Sequence, residues 1–122
     1  MTEIKIARVY DAPAEGTRVL VDRLWPRGVG KDDAPFDEWL QQVAPSTNLR
    51  IWYGHRREHF ADFRTRYAHE LEAPESREAM AHLRDLARTG NLTLLTAAKE
   101  LEISHAAVLA DVLAKKPDSE AA

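Results

Sequence analysis

The run Leu92-Thr93-Leu94-Leu95-Thr96 is apolar along almost its whole length and follows Gly90. A strand with one face in water alternates polar and apolar residues, whereas a run like this one belongs to a strand buried on both faces, the usual situation in a parallel sheet. Such a strand needs neighbours on either side and cover on both faces. The rest of the chain must supply them.

Two further strands precede it. Ile4-Lys5-Ile6-Ala7-Arg8-Val9 alternates apolar and polar residues, and Val19-Leu20-Val21 is a short apolar run after Thr17-Arg18. Asp11-Ala12-Pro13-Ala14-Glu15-Gly16 between them reads as a loop. About seven to nine connecting residues are too few for a helical crossover, so these two strands are expected to pair antiparallel.

Helical patterns fill the stretch up to Leu92. Phe36, Trp39, Leu40 and Val43 recur at helical spacing, with Asp33 as a cap and Pro35 suited to a first turn. Ala44-Pro45 ends that segment, and Ser46 is placed to cap a short helix carrying Leu49, Trp52 and Tyr53 that closes at Gly54. A third helix is expected from about Arg56 to Glu72, with Phe60, Phe63, Tyr67 and Leu71 inward. A fourth runs from Pro74 to Gly90, burying Ala79, Met80, Leu83, Leu86 and Ala87. After the Leu92 strand a fifth starts at Ser104, and the polar tail from Lys115 to Ala122 is expected to fray.

The order strand, strand, four helices, strand, helix specifies one small α/β domain over residues 1–114. Its sheet is short and mostly parallel, flanked by about five helices. The helical excursion is long enough to lay the second and third strands side by side and parallel, with a right-handed connection. Their carboxyl ends then share one edge, where open α/β sheets bind ligands.

Composition narrows the function. At 122 residues with 44% hydrophobic and 30% charged content, a domain of this size buries roughly two-thirds of its unfolded surface and needs no metal or disulfide to fold. The absence of cysteine excludes thiol chemistry, zinc ribbons and iron–sulfur ligation, and fits a reducing compartment. A net charge of −3 gives no general attraction to nucleic acid or anionic membranes. Met1-Thr2-Glu3-Ile4-Lys5 lacks a signal-peptide core, and no apolar stretch approaches a bilayer span. These features point to the cytoplasm.

The second strand runs into Asp22-Arg23-Leu24-Trp25-Pro26-Arg27-Gly28-Val29-Gly30-Lys31. Guanidinium groups grip carboxylate or phosphate bidentately, and glycines let backbone N–H groups approach it, so Arg23, Arg27 and Lys31 suit an anion. The competing reading has Asp22 and Arg23 stapling the loop to the domain. Trp25, off any periodic face, is suited to wall a pocket or stack on a planar ligand. From the third strand the chain reaches Lys99, a point charge for an anion. It then reaches His105 in the first turn of the last helix, placed to accept a proton or donate a hydrogen bond; both have plainer readings, a solvated lysine and a capping histidine. Ser46, a cap, also has the geometry of a second anion site. His55-Arg56-Arg57-Glu58-His59 spells an inverted zinc-protease pattern, but His55 follows Gly54 and precedes the helix, which spoils a shared ligating face. No metal is therefore expected, and His55 alone is placed to turn toward the sheet edge. No dinucleotide, P-loop or nucleophile-elbow motif occurs. No cofactor is expected.

Arg18 to Gly28, Trp39, Ala44-Pro45-Ser46, Leu49-Arg50, the Phe63-to-Tyr67 spacing ahead of Glu70-Leu71, and Leu92 to Leu95 followed by Ala98-Lys99 resemble the YeaO-like bacterial proteins of the domain-of-unknown-function 488 family. The resemblance covers about residues 4 to 114. It implies no particular reaction, and the uroporphyrin methyltransferase label attached to some relatives finds no cofactor motif here. It carries over Asp22, Arg23, Arg27, Ser46, Arg50, Lys99 and His105 as the matching polar positions. Ser104 stands where relatives often have asparagine, Glu100 to Ile103 is atypical, and the cysteine-containing loop of longer relatives is missing, so no rhodanese-like thiol mechanism transfers.

These readings converge on a phosphorylated or carboxylated small molecule held at the carboxyl edge. Arg23, Trp25, Arg27, Lys31, Ser46, Arg50 and His55 would bind it. Asp22, Lys99 and His105 would supply any hydrolase-like or isomerase-like chemistry, and a homodimer is compatible. Two alternatives compete. One is a non-catalytic adaptor presenting the basic, Trp25-containing loop as a flat surface to a protein or, less in keeping with the charge, to nucleic acid. The other takes the Asp22-to-Gly28 block as fold-specifying only.

Overall fold

A computed structural model describes residues 4–13 and 15–115. Four strands, β1 (Ile4–Arg8), β2 (Thr17–Leu20), β3 (Glu38–Trp39) and β4 (Leu92–Thr96), form one sheet in the order β1-β4-β2-β3, with every neighbouring pair parallel. β4 lies between β1 and β2, with Leu92 level with both Ile4 and Thr17. All five of its residues are buried, as its unbroken apolar character requires.

The expected antiparallel pairing of the first two strands does not occur. Both run parallel to β4 and flank it. The connection, residues 9–16, begins with a 3-10 turn at Val9–Asp11 and must travel back along the strands while stepping across β4. Two strand spacings across and one strand length back make a diagonal of about 19 Å, within the roughly 23 Å that three 3-10 residues and five extended ones can reach, so no α-helix is needed. Gly16 completes the passage at φ +83°, where a Cβ would lie 3.1 Å from the Asn91 carbonyl oxygen. That close approach lets the Thr17 amide donate to the same carbonyl at 3.0 Å.

The helix expected over Phe36–Val43 is also absent. Residues 38–39 pair with β2 as β3, the amides of Asp37 and Leu40 donating to the Arg18 and Leu20 carbonyls at 2.8 and 2.9 Å, and a 3-10 turn follows at Gln41–Val43. The apolar spacing is real but serves tertiary contacts. Trp25 meets Phe36 and Trp39 edge-on at 5.2 and 5.3 Å, and the Trp39 indole donates to the Asp22 carbonyl. Pairing the edge of β2 outweighs a weak local preference for helix.

Four α-helices are present among the described residues, one fewer than expected: α1 (Thr47–Tyr53), α2 (Phe60–Glu70), α3 (Pro74–Thr89) and α4 (His105–Ala114). The Ser46 hydroxyl caps α1 by accepting from the Leu49 amide, Gly54 ends it at φ 53°, and Ser104 caps α4 by accepting from the Ala107 amide. From residue 116 on, the expected polar tail lies outside the described residues.

The two faces of the sheet are covered differently. Val19, Val21, Leu92 and Leu94 face the main core with Leu49, Phe63, Tyr67, Met80, Leu83, Val108 and Leu109 from the helices. Leu20 and Leu95 face a smaller cluster with Val9, Phe36 and Trp39, built from the loops. The Tyr67 hydroxyl, fully buried, donates to the Val43 carbonyl. No helix among the described residues is long and apolar enough to cross a membrane.

Candidate functional site

Parallel pairing brings the carboxyl ends of β1, β2 and β4 to one edge, and there a cavity of about 290 Å³ opens. Its lining comes from the ends of those strands, the loop after β2, the Ala44-Pro45 segment, α1 and the first turn of α4.

Asp22, just past β2, ties the edge together. Its Oδ2 accepts from the Ala97 amide at 2.8 Å, joining the ends of two adjacent strands. Its Oδ1 lies 3.2 Å from His105 Nε2, which is also 3.1 Å from the Val21 carbonyl oxygen. Two acceptors around Nε2 require that nitrogen to carry a proton. The Val21 carbonyl meets that proton more nearly in line, and Asp22 Oδ1, buried beside the ring, engages it only obliquely. Burial pushes the Asp22 carboxyl up, but the hydrogen bond and charge of His105, with the Ala97 amide and the Thr96 hydroxyl, outweigh it and hold the carboxyl below its ordinary value. Tyr67 supports the imidazole edge-on at 6.0 Å.

Arg23 is committed. Its Nε donates to the Pro45 carbonyl at 3.2 Å and a terminal nitrogen to the Ala44 carbonyl at 3.3 Å, while Gln41 donates to its backbone oxygen. The stapling role weighed for the Asp22–Arg23 pair is thus carried by backbone carbonyls for Arg23 and by a backbone amide for Asp22. Trp25 is likewise engaged. Its indole donates to the Val29 carbonyl at 2.6 Å, and its ring sits among Phe36 and Trp39 with part of its surface on the cavity.

Arg27 and Arg50 differ from Arg23. Both line the cavity and both are exposed. Neither guanidinium has a hydrogen bond or ion pair among the described residues. The Arg27 backbone is nonetheless fixed, since the Tyr10 hydroxyl donates to its carbonyl at 2.9 Å. Tyr10 is in turn overlain by the Arg8 guanidinium at 4.9 Å, and Arg8 donates to the Ala98 carbonyl. His55 reaches the same lining from a left-handed conformation at φ 58°. His59, by contrast, stacks on Trp52 at 4.8 Å, so the two histidines of the inverted zinc pattern serve different surroundings.

Asp22, Arg23, Trp25, Arg27, Arg50, His55 and His105 therefore share one hollow. Lys31, Lys99 and Ser46 do not line it. Lys31 and Lys99 are exposed loop residues. Ser46 faces a second hollow that also touches Arg23 and Ala44. There Glu70 grips it, one carboxylate oxygen accepting from the Ser46 amide at 2.8 Å and the other from the Ser46 hydroxyl at 2.6 Å. An internal carboxylate thus occupies the position an outside anion would need.

Sequence reasoning missed Tyr10 and Tyr53. Tyr10 follows β1, which the antiparallel expectation sends to the opposite edge. Tyr53 reads as a core residue and is one, stacked on Phe63 at 4.2 Å with its hydroxyl donating to the Ile103 carbonyl at 2.6 Å, yet it also forms part of the cavity floor. Burial raises its pKa, helped by Glu100 and opposed by Arg57.

Fold and site together define a small parallel-sheet α/β protein with an arginine-bearing hollow at the carboxyl edge. A family model described as "Inactive DUF488-N3 subclade" matches residues 3–122, and the chain belongs to the DUF488 family, among its YeaO-like members. It is 46% identical to "Uncharacterized protein Rv3073c" of Mycobacterium tuberculosis over 114 residues, 92% of this chain and 94% of that protein. It is also 46% identical to "Uncharacterized protein YeaO" of Escherichia coli over 113 residues, 90% of this chain and 96% of that one. No solved structure matches it.

Proposed function

We propose that this protein binds a small organic anion, phosphorylated or carboxylated, in the cavity at the carboxyl edge of its sheet, and that it does so without turning the ligand over. The observation that carries this reading is the contrast among the lining residues. Arg27 and Arg50 have no side-chain partner among the described residues, whereas Asp22 and His105 are engaged with each other and with backbone groups. Uncommitted cations at a partly enclosed apolar hollow suit an anion with an organic body. A proton-transfer pair, by contrast, needs a free face toward substrate. Lys99, the other candidate for chemistry, stands outside the lining. The family description, which speaks of an inactive subclade, supports binding over hydrolase-like or isomerase-like turnover. A cytoplasmic setting accords with the cysteine-free composition.

The adaptor reading draws on Leu24, 63% exposed beside the cavity. Against it, Trp25 is held inward by Val29, Phe36 and Trp39 and cannot anchor a flat interface.

Thermal-shift measurements with phosphorylated and carboxylated compounds test the proposal. At a hundredfold excess over Kd a native-state ligand adds about 2.7 kcal/mol, a rise of several degrees. The rise should occur with wild type and vanish with Arg27→Ala. A rise indifferent to that substitution would move the anion elsewhere.

A further inference from the structure

We infer that the group held by Arg27 and Arg50 is a dianion, the phosphate of a monoester with an apolar body, rather than a carboxylate; this rests on the anion-binding reading. Asp22 is the one acid among the lining residues, against Arg23, Arg27 and Arg50, with the imidazoles of His55 and His105 beside them. Arg23 already directs its donors at the Ala44 and Pro45 carbonyls, while the Asp22 carboxylate is turned to His105 and the Ala97 amide. Two guanidinium groups remain with their donors unclaimed, those of Arg27 and Arg50, the arginines without a side-chain partner among the described residues.

A monoanion would pair with one of these exposed guanidinium groups and leave the other to solvent. A phosphate monoester at neutral pH carries close to two negative charges and three acceptor oxygens, so each planar guanidinium can take two N–H···O bonds without competing for the same pair. The remaining lining includes Leu24, Pro26, Pro45 and Ala97, with the Tyr10 ring 46% exposed nearby. Such a surface suits an organic substituent and offers little to inorganic phosphate. The 290 Å³ volume stands at the lower end of ligand pockets, about 300–1,000 Å³, which limits the body to roughly a single ring or short chain.

Titration calorimetry at about pH 8 with phenyl phosphate, benzenesulfonate, benzoate and inorganic phosphate separates the possibilities. Phenyl phosphate should bind at least about tenfold more tightly than benzenesulfonate, which has the same tetrahedral shape with one charge, and than benzoate. The preference over benzenesulfonate should collapse near pH 5, where the phosphate loses its second charge; the fixed charge of benzenesulfonate controls for the lining imidazoles of His55 and His105. It should also collapse in Arg50→Ala, an exposed and unpaired position whose loss leaves the fold intact. Equal binding of benzenesulfonate or benzoate would overturn the dianion assignment while leaving the anion-binding reading in place. Inorganic phosphate binding as tightly as phenyl phosphate would overturn the apolar body. Binding of none of the four would remove both this inference and the reading beneath it.

Discussion

The Asp22 carboxylate and the His105 imidazole meet at 3.2 Å across 83 positions of sequence, with Asp22 also holding the Ala97 amide. One side chain thereby joins the ends of β2 and β4 to the start of α4. Asp22→Asn should cost about 1.5–3 kcal/mol at pH 7 in urea denaturation, the range for a hydrogen bond to a buried charged group. Because the folded carboxyl lies below its unfolded value of 3.8, its contribution is present above that value and is lost as pH falls through the folded one. The gap between wild type and variant should close as pH falls below 3.8 and through the folded value; a gap that stays constant throughout acid titration would refute the linkage.

Tyr67 gives the opposite sign. Burial drives its hydroxyl well above its ordinary 10.0, with the charges of Glu70 and Asp22 adding and Arg23 opposing. Stability from the neutral phenol is complete below that ordinary value and disappears as pH rises through the folded one. Tyr67→Phe should cost about 1–3 kcal/mol at pH 7, because the Val43 carbonyl loses its donor, and should blunt alkaline unfolding. An unchanged alkaline transition would assign that transition to another group.

Arg23 and Arg27 are the same residue type four positions apart, and their truncations should diverge. Arg23→Ala removes two bonds to backbone carbonyls and should destabilise by about 1–3 kcal/mol, whereas Arg27→Ala should stay within about 0.5 kcal/mol of wild type. Equal losses in chemical denaturation would contradict this division.

Trp25→Ala separates a packed residue from an interface anchor. Removing a ring engaged with Phe36, Trp39 and the Val29 carbonyl should lower stability by about 3 kcal/mol. A variant as stable as wild type would restore the adaptor reading.

How much of this could be read from the chain depends on where each partner lies. β4 was legible because burial on both faces leaves its mark on every residue. The caps at Ser46 and Ser104 and the stop at Gly54 were legible because capping is local. β3 was not, since the apolar spacing from Phe36 to Val43 fits a helix as well as a cluster around Trp25, and only the open edge of β2 decides. Strand order escaped for a similar reason, as a short loop can make a hairpin or step across a strand. That choice hid Tyr10. The basic loop was recognisable, but Arg23 could not be told from Arg27, because the carbonyls that occupy Arg23 lie 21 and 22 positions away. Nor could Ser46 be told from an anion site while Glu70, on another helix, was out of view.

Arg23 and Ala44 belong to the walls of both hollows, so the partition between the basic cavity and the Ser46–Glu70 side is a single layer thick. Arg23 thereby brings a positive charge to the wall shared by the basic cavity and the hollow that holds the Glu70 carboxylate. The residue is a brace by its bonds to Ala44 and Pro45, and on the anion-binding proposal it would also serve as an electrostatic insulator, whose loss would expose a bound anion to repulsion from Glu70.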